Sequence, residues 1–459
     1  MRETLQDSIH AASNFVWGPW TLALLFGTGW FLTFRYRGIQ ITGLSRAFRA
    51  LRFRSSNDIG ALTPFQAFAT GLAASVGTGN IAGVATAIAA GGPGALFWIW
   101  AYGFVATTIK LTEAMLAVRY RRPERDFLSA GPMHYLELGL RQAWLGRFYA
   151  LLAGIAALAT TPFTQPNSIA VSFQHQLGVE PLSVGLALAF LTAAVVFGGV
   201  TLVGRAAERL APTMVLLYLA GGVWVILFHV DHLPRVLSEV FSSAFSLEAA
   251  QGGTLGTGLM LAMRYGVARG IYANEAGYGT AAVAYGSARS NQPVVQGLAA
   301  MVEVYIVSFV TASVSGLSIL VAGVLSSGAQ STALVGAAFD SAMPAGGYLV
   351  LACALLFGYT TLIGWGYYGE QFLRYLFGAR IVLPYRAVYC GLIVLGATLK
   401  VEVVWAWGDL LNGLQIYPNL FGVVLLSGWV ARELKECDPP SLPSSIERTS
   451  DGGKRLLPL

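Results

Sequence analysis

Apolar positions in this chain fall in long blocks instead of alternating. Blocks near 15–34, 63–91, 95–118, 146–174, 181–203, 210–229, 254–288, 294–323, 346–373, 385–402 and 405–431 carry few charges. Each matches a helix crossing a bilayer, which takes about 20 residues at roughly 1.5 Å per residue. The pattern predicts an all-α polytopic membrane protein with eleven spans. Two of the blocks are interrupted. In 63–91 the middle reads Val76-Gly77-Thr78-Gly79-Asn80, poor helix material. Backbone that leaves the helix inside hydrocarbon is tolerable only where protein buries it or it lines a wet cavity, because each unpaired N–H or C=O costs several kcal/mol. The break is therefore expected to touch a ligand. A half-helix starting near Asn80 aims free N–H groups at an anion, and carbonyls ending the first half, near Ala73 and Val76, face a cation.

The second interruption lies in 254–288, where Gly266, Gly270, Gly277 and Gly279 accompany Arg269, Asn274 and Glu275 at membrane depth. Polar groups there are expensive and usually face a cavity. The broken blocks are the first and sixth of the ten after the opening helix, so the two groups of five have opposite topology. That is the pattern of an inverted repeat with a site at the midplane. It divides the chain into an N-terminal helix with a basic segment (1–62), a first repeat (63–230), an external loop (231–253), a second repeat (254–432) and a tail (433–459) expected to be disordered.

The first break also fits two simpler patterns. Gly79 and Gly83 fit GxxxG helix packing. Gly77 to Ala82 fits GxGxxA, but an apolar helix pattern precedes it and no acid follows before Glu113, which argues against a dinucleotide fingerprint.

Composition agrees with the block pattern: 459 residues, 55% hydrophobic, 11% charged, mean hydropathy +0.61. The net charge of +6 does not point to nucleic acid, because most of the 29 basic residues lie in alternate loops. Six of them, Arg35, Arg37, Arg46, Arg49, Arg52 and Arg54, share the first loop. The positive-inside rule then puts the N terminus outside and the C terminus in the cytoplasm of a bacterial-type inner membrane. Leu44, Phe48 and Leu51 at helical spacing suit a helix lying in the interface. Cys353, Cys390 and Cys437 fit no disulfide framework or metal spacing. The opening residues carry acids and no cleavable pattern, so no signal peptide is expected.

The residues at and around the breaks resemble the alanine or glycine:cation symporters, a family of the leucine-transporter fold class. The resemblance is carried by Thr63-Pro64-Phe65-Gln66-Ala67, Val76 to Ala85, Gly91 to Ala95, Gly131-Pro132-Met133, Asn167 to Ala170, Arg269-Gly270, Asn274 to Gly277, Gln296-Gly297-Leu298, Gly364-Trp365, Tyr367 to Glu370 and Pro418-Asn419-Leu420. It implies a 5+5 inverted repeat with two broken helices plus one extra N-terminal helix. It also implies an amino acid carboxylate at the N–H groups of Thr78 and Gly79 beside Asn80. The ammonium would sit at the break carbonyls near Gln165, Asn274 and Glu275, with a small side-chain pocket walled by Tyr272 and Trp365. For sodium it implies the carbonyls of Ala73 and Val76 with the hydroxyls of Thr360 and Thr361, an oxygen set suited to a hard cation. It also allows a second sodium near Ser75 and Asn80. No other cofactor is implied. The chain departs from the family at Thr161 to Pro166, with two prolines, at Tyr272 in place of phenylalanine, at Gln292-Pro293, and at Ser129-Ala130. These changes bear on substrate choice.

Other membrane-depth residues have plainer readings. Lys110 and Glu113, three apart, are expected to neutralise each other. Arg269 is expected to pair or cap, Glu275 to be structural or to face the ligand, and Glu303 has no assigned role. His229, Asp231 and His232 read as a solvated loop rather than a metal site, and Trp17, Trp20 and Trp30 as interfacial anchors. The resulting expectation is sodium-coupled uptake of alanine or glycine by alternating access, with proton coupling as the alternative. A non-transporting amino acid receptor is a further reading. An enzyme is disfavoured by the absence of HExxH or Gly-x-Ser-x-Gly.

Overall fold

The computed structural model describes residues 11–53, 59–124, 128–246, 257–399 and 401–436. The tail from 437, Cys437 and part of the expected loop 231–253 lie outside the described residues. Helices account for almost all of the rest, apart from a two-residue antiparallel pair joining Arg122–Pro123 to Leu128–Ser129. Among the described residues eight helices are long and apolar enough to cross a membrane, and a bent pair makes nine.

In chain order the principal helices are α1 (Pro19–Arg35), α2 (Pro64–Ser75), α3 (Ala82–Gly91), α4 (Gly94–Tyr120), α5 (Ala143–Ala159), α6 (Thr161–Leu177), α7 (Pro181–Val196) and α8 (Gly199–Phe228). They continue as α9 (Thr257–Asn274), α10 (Ala282–Gly286), α11 (Pro293–Tyr305), α12 (Ala312–Ala322), α13 (Gly346–Phe377), α14 (Val382–Thr398) and α15 (Val401–Glu436). The apolar blocks locate these helices, although block 146–174 divides into α5 and α6 at Thr160, block 294–323 divides into α11 and α12, and one boundary shifts. Block 181–203 ends at Val196 because Gly199, at φ +75°, turns the chain, and residues 199–203 begin α8.

Both interruptions are real breaks in the helices. α2 opens with a capping box, in which Thr63 accepts from the Gln66 N–H and Gln66 accepts from the Thr63 N–H. It stops at Ser75, and after a short turn over Thr78–Asn80 the chain resumes as α3 at an angle of 58°. Block 254–288 divides into α9 and the short α10. Between them Glu275 (φ +57°), Gly277 (φ +101°) and Gly279 (φ +80°) take left-handed backbone.

The broken helices occupy the interior. α3 packs against α9, α9 and α11 against α4, and α2 against α8 and α13. α4 is buried over most of its length. Lipid-type surface is left to residues such as Phe190, Leu216, Leu227, Phe421 and Leu425. Leu44–Ala50 is helical as expected, with Phe48 exposed and Ala47 and Ala50 buried. Among the three tryptophans expected as anchors, Trp20 and Trp30 are exposed. Trp17 is not an anchor: it is buried and its indole donates to the Asp409 carbonyl at 2.9 Å.

Candidate functional site

The first break is held open by side chains from three other helices. In a continuous helix the Gly77 N–H would reach Ala73; here it turns back to the Ser75 carbonyl at 2.9 Å. The freed Ala73 carbonyl accepts the Thr361 hydroxyl of α13 at 3.1 Å. Asn80 closes the turn, its amide donating to the Ser75 carbonyl at 2.9 Å while its own Oδ1 accepts from Thr311 at 3.0 Å. Gln165 of α6 presents Oε1 to both the Thr78 N–H and the Thr78 hydroxyl, each at 2.9 Å. Pro166 supplies no N–H for the Pro162 carbonyl, so the helix turn carrying Gln165 is loosened.

Two of the glycines in the break are required by close approach. A Cβ on Gly77 would lie 2.6 Å from Thr361 Oγ1, and one on Gly79 would lie 2.8 Å from the Tyr272 ring. Gly79 and Gly83 both face α9, where Arg269 passes over Gly83. The GxxxG spacing thus also serves packing of the two broken helices.

The second break is tied down by hydrogen bonds. Glu275 donates its N–H to the Ile271 carbonyl, and its carboxylate accepts Trp365 Nε1 at 2.6 Å and the Thr280 hydroxyl at 2.8 Å. Asn274 accepts the Ala276 N–H on its side chain and donates to Ser308. Glu113 accepts the Gly277 N–H at 2.9 Å and the Asn419 amide at 2.6 Å. Unpaired main chain at this depth is costly, so the buried Glu113 and Asn419 are what make the unwound turn tolerable.

A narrow cavity, with room for about one water molecule, lies between the two breaks, α6 and α13. Five of the eight expected substrate residues line it: Gly79, Gln165, Tyr272, Glu275 and Trp365. Thr78 reaches it only through its bonds to Gln165, while Asn80 and Asn274 point their side chains into the framework of the breaks. Of the four expected sodium ligands, Ala73 and Thr361 meet. Val76 caps the end of α2 about one turn away, just after its last residue, and the Thr360 hydroxyl is engaged with the Phe357 carbonyl and Met214 of α8.

Asn412 also lines the cavity and was missed in the sequence. Its signal was present: Asn412, Gln415 and Asn419 are all buried and share one side of α15 at helical spacing, a polar stripe within an apolar block.

Of two expected pairings, one changes and one is met. Lys110 does not neutralise Glu113; its ammonium meets Glu303 Oε1 at 2.9 Å and the Asn274 carbonyl at 2.7 Å. The cause is direction, since Glu113 faces the second break while Lys110 faces α11. Arg269 pairs as expected, in a two-pronged contact with Asp409, both distances 2.8 Å. Among the described residues no group of three His, Cys, Asp or Glu side chains could hold a metal ion, and His229 bonds Ser341 from an exposed loop.

The wall of the cavity offers three aromatic residues, a carboxylate, two side-chain amides and main chain free of helix bonding. The polar groups in that lining suit the charged ends of a small zwitterion, although the cavity must widen to admit one. The sequence matches the sodium:alanine symporter family over residues 2–439. The chain belongs to this family. Its members are transporters, and this symporter is accordingly a multi-pass membrane protein rather than an enzyme. It is 38% identical to the sodium/alanine symporter AgcS of Methanococcus maripaludis, over 93% of this chain and 96% of that one. It is 34% identical to the probable sodium/glutamine symporter GlnT of Bacillus subtilis, over 95% of this chain and 91% of the relative. Among solved structures, that of MhsT in complex with L-phenylalanine aligns with a TM-score of 0.62 at 13% identity, covering 82% of this chain and 92% of that one. The fold is therefore that of the leucine-transporter class.

Proposed function

We propose that this symporter imports a small neutral amino acid, alanine or glycine, together with sodium by alternating access. The observation that carries the reading is the cavity between two helix breaks, narrowed by Tyr272 and Trp365 and floored by glycine main chain. In this reading Gly79 and Thr78 receive the carboxylate once Gln165 releases Thr78, and the ammonium lies toward Glu275. Asn80 and Asn274 hold the broken main chain in place around them. Sodium sits at the Ala73 carbonyl and Thr361 hydroxyl, with Val76 and Thr360 beside them, and fixes the end of α2 next to the carboxylate. Each ligand then strengthens the other's binding equally.

The proposed topology is eleven spans: α1, then two inverted groups of five each opening with a broken helix, with the basic loops cytoplasmic and the N terminus outside. The short α7 and the broken α9–α10 complete the count beyond the nine spans recognised by length and composition. The unwound ends at the midplane support it, since irregular backbone persists at that depth only around a cavity.

A proton-coupled cycle is the second reading, favoured by three fully buried carboxyl groups, Glu113, Glu275 and Glu303, around the breaks. Uptake of labelled alanine, glycine and glutamine into proteoliposomes under an imposed sodium or proton gradient separates the two. Accumulation of none of them under either gradient would overturn transport of this substrate class.

A further inference from the structure

One buried cluster supplies no ligand to substrate or sodium in the sodium-coupled cycle proposed above. Lys110 lies in the middle of α4 with its side chain 1% exposed. Its ammonium meets three oxygens: the Asn274 carbonyl at 2.7 Å, Glu303 Oε1 at 2.9 Å and, more distantly, Ser75 Oγ at 3.5 Å. Glu303 also accepts the Ser75 hydroxyl at 2.5 Å and the Tyr285 hydroxyl. Ser75 is the last residue of α2 and Asn274 the last of α9, so the cluster joins the ends of both broken helices.

We propose that the Lys110 ammonium is a resident cation: it fills, with a charge tethered to the chain, a position whose ligands would otherwise hold a second coupling sodium. The inference rests on the reading of this chain as sodium-coupled. Three observations carry it. The ligand set is oxygen only, one carboxylate, one hydroxyl and one main-chain carbonyl, which is what a hard cation takes. The Asn274 carbonyl is free of helix bonding because the Tyr278 N–H, four residues on, goes to the Glu275 carbonyl instead. Space for the carboxylate is built in, since a Cβ on Gly71 would lie 2.7 Å from Glu303 Oε2.

A tethered ammonium cannot cross the membrane, so it adds nothing to the ions moved per cycle. It does hold the ends of α2 and α9 in fixed relation while the bundle moves. Without it, Glu303 becomes a buried charge with no counter-ion, and a diffusible cation must take the place.

The test uses the full chain in proteoliposomes and in detergent, as wild type, Lys110→Met, and Lys110→Met with Glu303→Gln. The Hill coefficient for sodium in alanine uptake should be about 1 for wild type, rise toward about 2 in Lys110→Met, and return to about 1 in the double variant, the coefficient being bounded by the number of coupled sites. In detergent, sodium chloride should raise the melting temperature of Lys110→Met over that in choline chloride by more than it does for the other two proteins. Folding of Lys110→Met in sodium but not in choline also supports the proposal. A wild-type coefficient near 2 overturns it, as does a Lys110→Met protein whose melting is no more sodium-sensitive than wild type. The melting comparison needs no amino acid. A wild type that takes up no alanine, with Lys110→Met still gaining sodium stabilisation, therefore faults the substrate assignment and not the resident cation.

Discussion

The Trp365 indole and the Glu275 carboxylate are joined by a 2.6 Å hydrogen bond across the cavity, with Thr280 on the other carboxylate oxygen. Glu275 has left-handed backbone, which costs a residue with a Cβ about 1–3 kcal/mol and persists only when surroundings enforce it. Glu275→Gln keeps an acceptor for the indole. Sodium-driven alanine uptake should fall by no more than about fivefold, matching the roughly 1 kcal/mol by which a charged acceptor exceeds a neutral one. Proton-driven uptake, if Glu275 were the carrier, would vanish in the same variant, and initial rates under each gradient decide.

Gly79→Ala should weaken alanine binding by about 10- to 100-fold. The added methyl meets the Tyr272 ring at 2.8 Å, and overpacking of this kind costs about 1–3 kcal/mol. Shrinking the ring in Gly79→Ala/Tyr272→Leu should recover part of the loss. Binding isotherms in detergent give both numbers, and equal affinities for wild type and Gly79→Ala would remove Gly79 from the site.

Thr361→Val should raise the sodium concentration for half-maximal uptake by about fivefold, the loss of one hydroxyl ligand worth roughly 1 kcal/mol. Thr360→Val, whose hydroxyl bonds Phe357 and Met214 and not Ala73, should move it much less. A sodium titration in which the two variants shift equally contradicts the placement of the cation between α2 and α13.

The pair of Arg269 and Asp409 joins α9 to α15 with Arg269 only 5% exposed. Arg269→Met leaves Asp409 without its partner and should cost about 3 kcal/mol of stability, whereas Arg269→Met/Asp409→Leu should recover most of it. Thermal melting in detergent reads this directly. A double variant no more stable than the single one would show that the pair's value lies elsewhere than in charge compensation.

Both helix breaks were legible in the sequence because each is made by residues next to one another in the chain. Gly77 and Gly79 sit a residue apart, and Glu275 is followed by Gly277 and Gly279, so local conformational preference alone predicts irregular backbone there. The membrane class and span positions follow from apolar block length for the same local reason. Gly79, Gln165, Tyr272, Glu275 and Trp365, which line one cavity, were named from the resemblance to the family and not from spacing, since 286 residues separate Gly79 from Trp365.

Which partner a polar side chain takes could not be read in this way. Spacing put Lys110 beside Glu113 on one helix, yet their side chains leave α4 toward different neighbours, one to Glu303 and the other to Gly277 and Asn419. Arg269 found Asp409, 140 residues away, and Trp17 turned inward to the carbonyl of the same residue. Composition and periodicity determine that a segment enters the bilayer and where it cannot stay helical, since those depend on the residue and its near neighbours. In a low-dielectric interior every buried charge and unwound carbonyl must find a counterpart. Which one it finds is decided only when distant helices pack.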